Sequence, residues 1–76
     1  MTQWVTRRDV DGREVGPPER CLRPGSIVAE PGLRTTAHHI VSLLGDGETC
    51  SGSSNKRPIM KGGELVGFID ITEEKP

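Results

Sequence analysis

Glu64-Leu65-Val66-Gly67-Phe68-Ile69-Asp70-Ile71-Thr72 is the stretch on which the fold turns. Its β-branched and aromatic content predicts a strand. With a period of two, Leu65, Gly67, Ile69 and Ile71 share one face, and Val66, Phe68 and Asp70 share the other. Apolar residues on both faces predict a central strand. Gly67 leaves space for the backbone of a neighbour. Upstream, Lys61-Gly62-Gly63 reads as a turn and Ile59-Met60 as a brief strand. Downstream, Glu73-Glu74-Lys75-Pro76 reads as a solvated tail at 73–76.

The N-terminal segment 3–16 reads as a β-hairpin turning at Asp11-Gly12, a dipeptide suited to a two-residue type I′ loop. That loop pairs Val10 with Arg13 and Arg8 with Val15. One face then carries Trp4, Thr6, Arg8, Val10, Arg13 and Val15, while Val5, Arg7, Asp9 and Glu14 line a mostly polar face. The same register sets Asp9 opposite Glu14, an unfavourable pair. Pro17-Pro18 closes the hairpin, because proline cannot donate to a ladder. Residues 17–25 read as a Pro-rich connector. Residues 26–72 form a β core that opens with a short strand at 26–29.

Residues 34–44, RTTAHHIVSLL, admit two readings. As a helix, Ala37, Ile40, Val41 and Leu44 make an i, i+3, i+4, i+7 stripe, with Thr35 or Thr36 as N-cap and Gly45 closing the end. As a strand, the β-branched Thr35, Thr36, Ile40 and Val41 fit, and Gly45-Asp46-Gly47 turns the chain into a partner at 48–51. The neighbours on either side favour the strand. Residues 51–58 are polar and read as a loop.

The whole is a single small domain, 1–76. The expected fold is mainly β, a small barrel or sandwich of about five to six short strands with an N-terminal β-hairpin. The alternative is α+β, with a short helix at 36–44.

Composition narrows the function. Ten Gly and six Pro cut 76 residues into short pieces. Leu, Ile, Val and Phe supply about a fifth of the chain, near the boundary at which charged chains stay disordered. So thin a core gains stability from a disulfide, a metal or a partner surface. The longest apolar run, residues 65–69, is far short of the ~20 a membrane helix needs. The first 25 residues lack the apolar core of a secretory signal. The expectation is a soluble protein, cytoplasmic or incorporated into a particle, with Cys21 and Cys50 as free thiols.

Each candidate chemistry is weak. Cys21, His38, His39 and Cys50 have the donor types for zinc but lack paired spacing, and the adjacent histidines diverge. Cys50 or Cys21 with a histidine lacks any local signature of nucleophilic catalysis. Residues 51–57 hold Gly, Ser, Lys56 and Arg57 without the phosphate-loop pattern. Asp46 and Glu48 are too few acids for a calcium loop. No metal, cofactor or small-molecule substrate is expected.

The remaining reading is a non-enzymatic structural or interaction protein, a small subunit or accessory of a larger assembly. A virus or phage particle component and a small adaptor or inhibitor are its concrete forms. A protein partner or a homo-oligomer would dock on Trp4, Val10, Val15, Leu65, Phe68, Ile69 and Ile71. The alternative is a small β-barrel that binds nucleic acid through Arg7, Arg8, Arg13, Arg20 and Arg23, with Asp9, Asp11, Glu14 and Glu19 interleaved among them.

Overall fold

The computed structural model describes residues 1–26 and 30–76. The strand expected at 26–29 therefore falls, from Ile27 to Ala29, outside the described residues. The elements run β1 Thr2–Arg8, β2 Glu19–Leu22, α1 Thr36–Leu43, β3 Glu48–Cys50, β4 Lys56–Lys61 and β5 Glu64–Thr72. The five strands form one antiparallel sheet in the order β2-β1-β5-β4-β3, curled into a half-barrel, with the helix as the one other regular element among the described residues. The fold is mainly β.

β5 occupies the centre of the sheet, as its two-sided apolar pattern predicts. It pairs with β1 through Val5↔Ile71 and Arg7↔Ile69, and with β4 through Ile59↔Gly67 and Pro58↔Phe68. Gly67 is where β1 comes closest: a Cβ built there collides with the Arg8 carbonyl oxygen. A bulge between Ile59 and Met60 sets Met60 against Leu65 and leaves Val66 as the extra residue. Val66 packs on the core and Leu65 is exposed, so the expected face of Leu65, Gly67, Ile69 and Ile71 holds only from Gly67 onward.

The N-terminal hairpin forms with a different turn. Asp9 N donates to Arg13 O and Gly12 N donates to Asp9 O. The Asp9 carboxylate also accepts from the backbone of Asp11 and Arg13, at 3.0 and 2.9 Å. The loop is thus three residues, Val10 to Gly12, with Gly12 at φ 85°. Its reward is electrostatic: Arg8, not Asp9, faces Glu14. Pro17-Pro18 interrupts the second arm without ending it. The chain re-enters as β2, pairing Glu19 with Val5 and Cys21 with Gln3, inside the segment expected to be a connector. β2 is the sheet edge, so proline's missing N–H removes no ladder bond on the outer side.

Residues 36–43 are helical, as the alternative had it, and the strand reading is overturned. Thr35 caps the helix, its hydroxyl accepting from His38 N at 3.2 Å. The buried stripe is Thr36, His39 and Ile40 with Leu43 partly covered, one residue behind the expected one; Val41 is 68% exposed. The sheet explains the rotation. Gln3 Nε2 donates to Thr36 Oγ1 at 2.7 Å, and Thr36 Oγ1 donates to Leu22 O at 3.0 Å. These polar partners draw Thr36 inward where hydropathy alone selects Ala37 and Val41. Leu44, extended, ends the helix; Gly45 instead donates its N–H to Glu48 Oε1 at 2.6 Å.

β4 begins at Lys56, inside the expected 51–58 loop. Pro58 sits just beyond the β3 pairing, where the outer edge of β4 is open. Lys61-Gly62-Gly63-Glu64 turns tightly into β5, with Gly62 and Gly63 at φ 57° and 81°.

The helix covers the inner face of the sheet. There Val5, Cys21, Ile40, Ile59, Ile69 and Ile71 are buried, with Leu43, Leu44, Cys50 and Val66 packed around them. The core thus lies on the Val5 side of β1, the side that the hairpin pattern marks as polar.

Candidate binding surface

Strand alternation assigns Trp4, Thr6 and Arg8 of β1 to the outer face, together with Phe68, Asp70 and Thr72 of β5 and Lys56, Pro58 and Met60 of β4. No helix crosses this face among the described residues. Trp4, Phe68, Pro58 and Met60 are half-buried there. The Lys56 ammonium lies 4.6 Å from the centre of the Phe68 ring, and the Lys75 ammonium lies 5.6 Å from that of Trp4. Both distances suit a cation–π contact. Lys75 belongs to the tail, which folds back: Arg23 bonds Glu73, and Thr72 Oγ1 donates to Glu74 O at 2.7 Å. Between the rings, Arg8 Nε donates to Asp70 Oδ2 at 3.1 Å. Thr6 is 1% exposed, and its hydroxyl has no hydrogen-bond partner among the described residues.

The residues expected to meet a partner divide. Trp4 and Phe68 stand on the outer face. Val10 and Val15, 54% and 46% exposed, lie at the hairpin end, and Leu65 lies at the bulge. Ile69 and Ile71 are core residues, 0% and 5% exposed, and present nothing to a partner. The arginines also divide. Arg7, Arg8, Arg20 and Arg23 are bonded to Glu48, Asp70, Glu30 and Glu73. Lys56 and Lys75 have no carboxylate partner among the described residues.

Other candidates are accounted for by local structure. Arg7 grips Glu48 with two bonds of 2.7 and 2.9 Å and donates to Leu43 O at 2.6 Å. Those Arg7 bonds, then the Gly45 N–H, hold the Glu48 carboxyl at about 2, below its usual 4.5. Glu48 is a clasp between helix end and sheet, unlike a calcium ligand. Arg57 Nε donates to Ser54 O at 2.8 Å, which shapes the turn before β4.

The thiols are free. Burial, reinforced by Glu19, pushes the Cys21 thiol up, and burial does the same at Cys50. Both effects oppose the thiolate that nucleophilic or metal chemistry needs. His39 is buried with Nδ1 3.2 Å from Glu19 Oε2, while Nε2 has no partner among the described residues, so no thiol–imidazole bond forms there. His38 is exposed. Among the described residues no three His, Cys, Asp or Glu side chains gather as metal ligands. A groove of about 240 Å³ beside β2 is lined by Glu19, Arg20, Cys21, Gly32, Leu33 and Arg34, and is open to solvent. No described helix is long and apolar enough to cross a membrane.

Comparison with protein-family models, with curated proteins and with solved structures returns no match for this chain.

Proposed function

We propose that this protein is a non-enzymatic structural or interaction protein, a small subunit or accessory of a larger assembly, working through the outer face of its sheet. The observation that carries the reading is the asymmetry of β5. Ile69 and Ile71 are buried in the core, while Phe68 between Gly67 and Ile69 stands half-buried, with Trp4, Pro58 and Met60, on a face that no described helix crosses. Among the described residues six apolar side chains are buried, a thin core, and binding to the folded state adds stability by mass action.

The test compares the wild-type chain with Trp4→Ser and Phe68→Ser variants. Light scattering and native isolation are read together with circular dichroism. The expected result is an assembly formed by the wild type and lost in variants that retain the β spectrum. A wild-type monomer with a concentration-independent melt and no companion overturns the reading.

A further inference from the structure

We infer that the outer face of the sheet binds single-stranded nucleic acid, with Trp4 and Phe68 as the stacking platforms. The inference rests on the outer face being the working surface, as proposed above.

The charges choose the class of occupant. Asp70 is the one acid on the outer face of β1, β4 and β5 from Phe68 to Thr72, and Arg8 already bonds it. The two charges that lie over the rings, the ammoniums of Lys56 and Lys75, are both positive and have no carboxylate partner among the described residues, and the exposed Glu74 of the tail adjoins Lys75 in the chain. An anionic occupant answers both ammoniums at once.

The rings choose among anions. Each ammonium sits over an aromatic ring, so charge and π surface occupy the same two places, and each exposed lysine swings aside as its ammonium moves to a phosphate, opening the ring face to a base. A nucleotide offers a phosphate to one and a base to the other, and stacking of bases on aromatic side chains is indifferent to sequence. Trp4 lies opposite Thr72, four residues along β5 from Phe68. At about 3.4 Å per residue the rings are about 14 Å apart along the strand. They would therefore take two different bases of one strand, with Arg8 and Asp70 between them. In a duplex the bases are stacked on one another and their faces are closed to the rings. The arginines named from sequence play little part, since four of the five already hold carboxylates.

Trp4 is the chain's only tryptophan, so its fluorescence reports this face. The experiment titrates the full chain with a twelve-nucleotide oligo-dT, with the same length of duplex, and with poly-L-glutamate. Anisotropy of a labelled oligo-dT gives a second readout. The expected result is saturable quenching of Trp4 by oligo-dT and much weaker quenching by duplex. Neutralising two phosphates gives a slope of log K against log salt of about −1.4. Phe68→Leu is expected to weaken anisotropy-detected binding roughly 5- to 150-fold, the range of one base stack. Lys56→Gln and Lys75→Gln, both at exposed positions, should each flatten the slope by about 0.7. If Phe68→Leu fails to fold, the two lysine variants decide.

Oligo-dT binding that survives all three substitutions overturns the inference. Perturbation of Trp4 by poly-L-glutamate but not by oligo-dT also overturns it, while keeping the outer face as the working surface for an acidic protein. Silence from every probe at low salt overturns the nucleic-acid inference, while the outer-face reading stands or falls by the Trp4→Ser and Phe68→Ser comparison.

Discussion

The two faces of β5 are built from the same stretch of chain and treated in opposite ways. Toward the inside, Gly67, Ile69 and Ile71 are buried. Toward the outside, Phe68, Asp70 and Thr72 are half-buried. The inner face is apolar except where Gln3, Thr36, Arg7 and Glu48 bond one another or nearby backbone and His39 lies buried beside Glu19. The outer face mixes rings with charge. Among the described residues the buried aliphatic side chains gather on the inner face, and no described helix crosses the other.

Adjacent positions give the largest expected contrast. Ile69→Ala empties a fully buried site and should cost about 2–5 kcal/mol. A domain of this length holds roughly 4–11 kcal/mol in all. Phe68→Ala, one residue away and half-exposed, should cost about 1–2 kcal/mol. Urea unfolding followed by circular dichroism measures both. Equal losses would show that the outer face is as much a core as the inner one. Gly67→Ala comes next. Its Cβ meets backbone, the Arg8 carbonyl, which has no rotamer to escape into, so β1 and β5 must part. The expected cost is about 1–3 kcal/mol, read from the same unfolding curves.

The contrast also marks how far the sequence could be read. β5, the tight Gly62-Gly63 turn and the close approach at Gly67 follow from local pattern, because each depends on residues within a few positions. The helix at 36–43 was legible only as one of two readings. Its β-branched residues spoke for a strand, and what decides for the helix is distant: Gln3 and the Leu22 carbonyl receiving Thr36. β2 was missed because Glu19-Arg20-Cys21-Leu22 has no apolar alternation and follows two prolines. Trp4 and Phe68 were each visible as contact residues. That they share one face with Lys56 and Lys75 was not, since it needs the β1–β5 register across most of the chain and a tail that folds back over Trp4. Ile69 and Ile71 were misplaced on the surface for the complementary reason: nothing in a two-sided apolar strand says which side the helix will take.

Acid sharpens the comparison at the inner margin. Glu48 has a carboxyl depressed from 4.5 to about 2 by Arg7 and the Gly45 N–H. Its contribution to stability is therefore fully present above about 4.5 and lost as pH falls toward 2. Glu48→Gln should lower the urea midpoint at pH 6 and reduce its fall between pH 4.5 and 2.5, compared with wild type. Parallel pH curves for the two proteins would mean that the clasp does not hold helix to sheet.

The smallest effect tests whether the outer face carries a cost of its own. Thr6 is buried on that face with a hydroxyl that has no partner among the described residues. A buried unsatisfied hydroxyl is unfavourable, whereas an apolar group of the same shape is not. Thr6→Val keeps the branch at Cβ and the strand preference and removes only the oxygen's demand. The expected result is a gain of about 1 kcal/mol in urea unfolding. The same change on the inner face, at Thr36, should act in the opposite direction, because that hydroxyl accepts from Gln3 and donates to Leu22. Thr36→Val leaves both of those groups without it, and a matching pair of unfolding curves, one shifted up and one down, is what distinguishes a polar group the fold uses from one it merely tolerates.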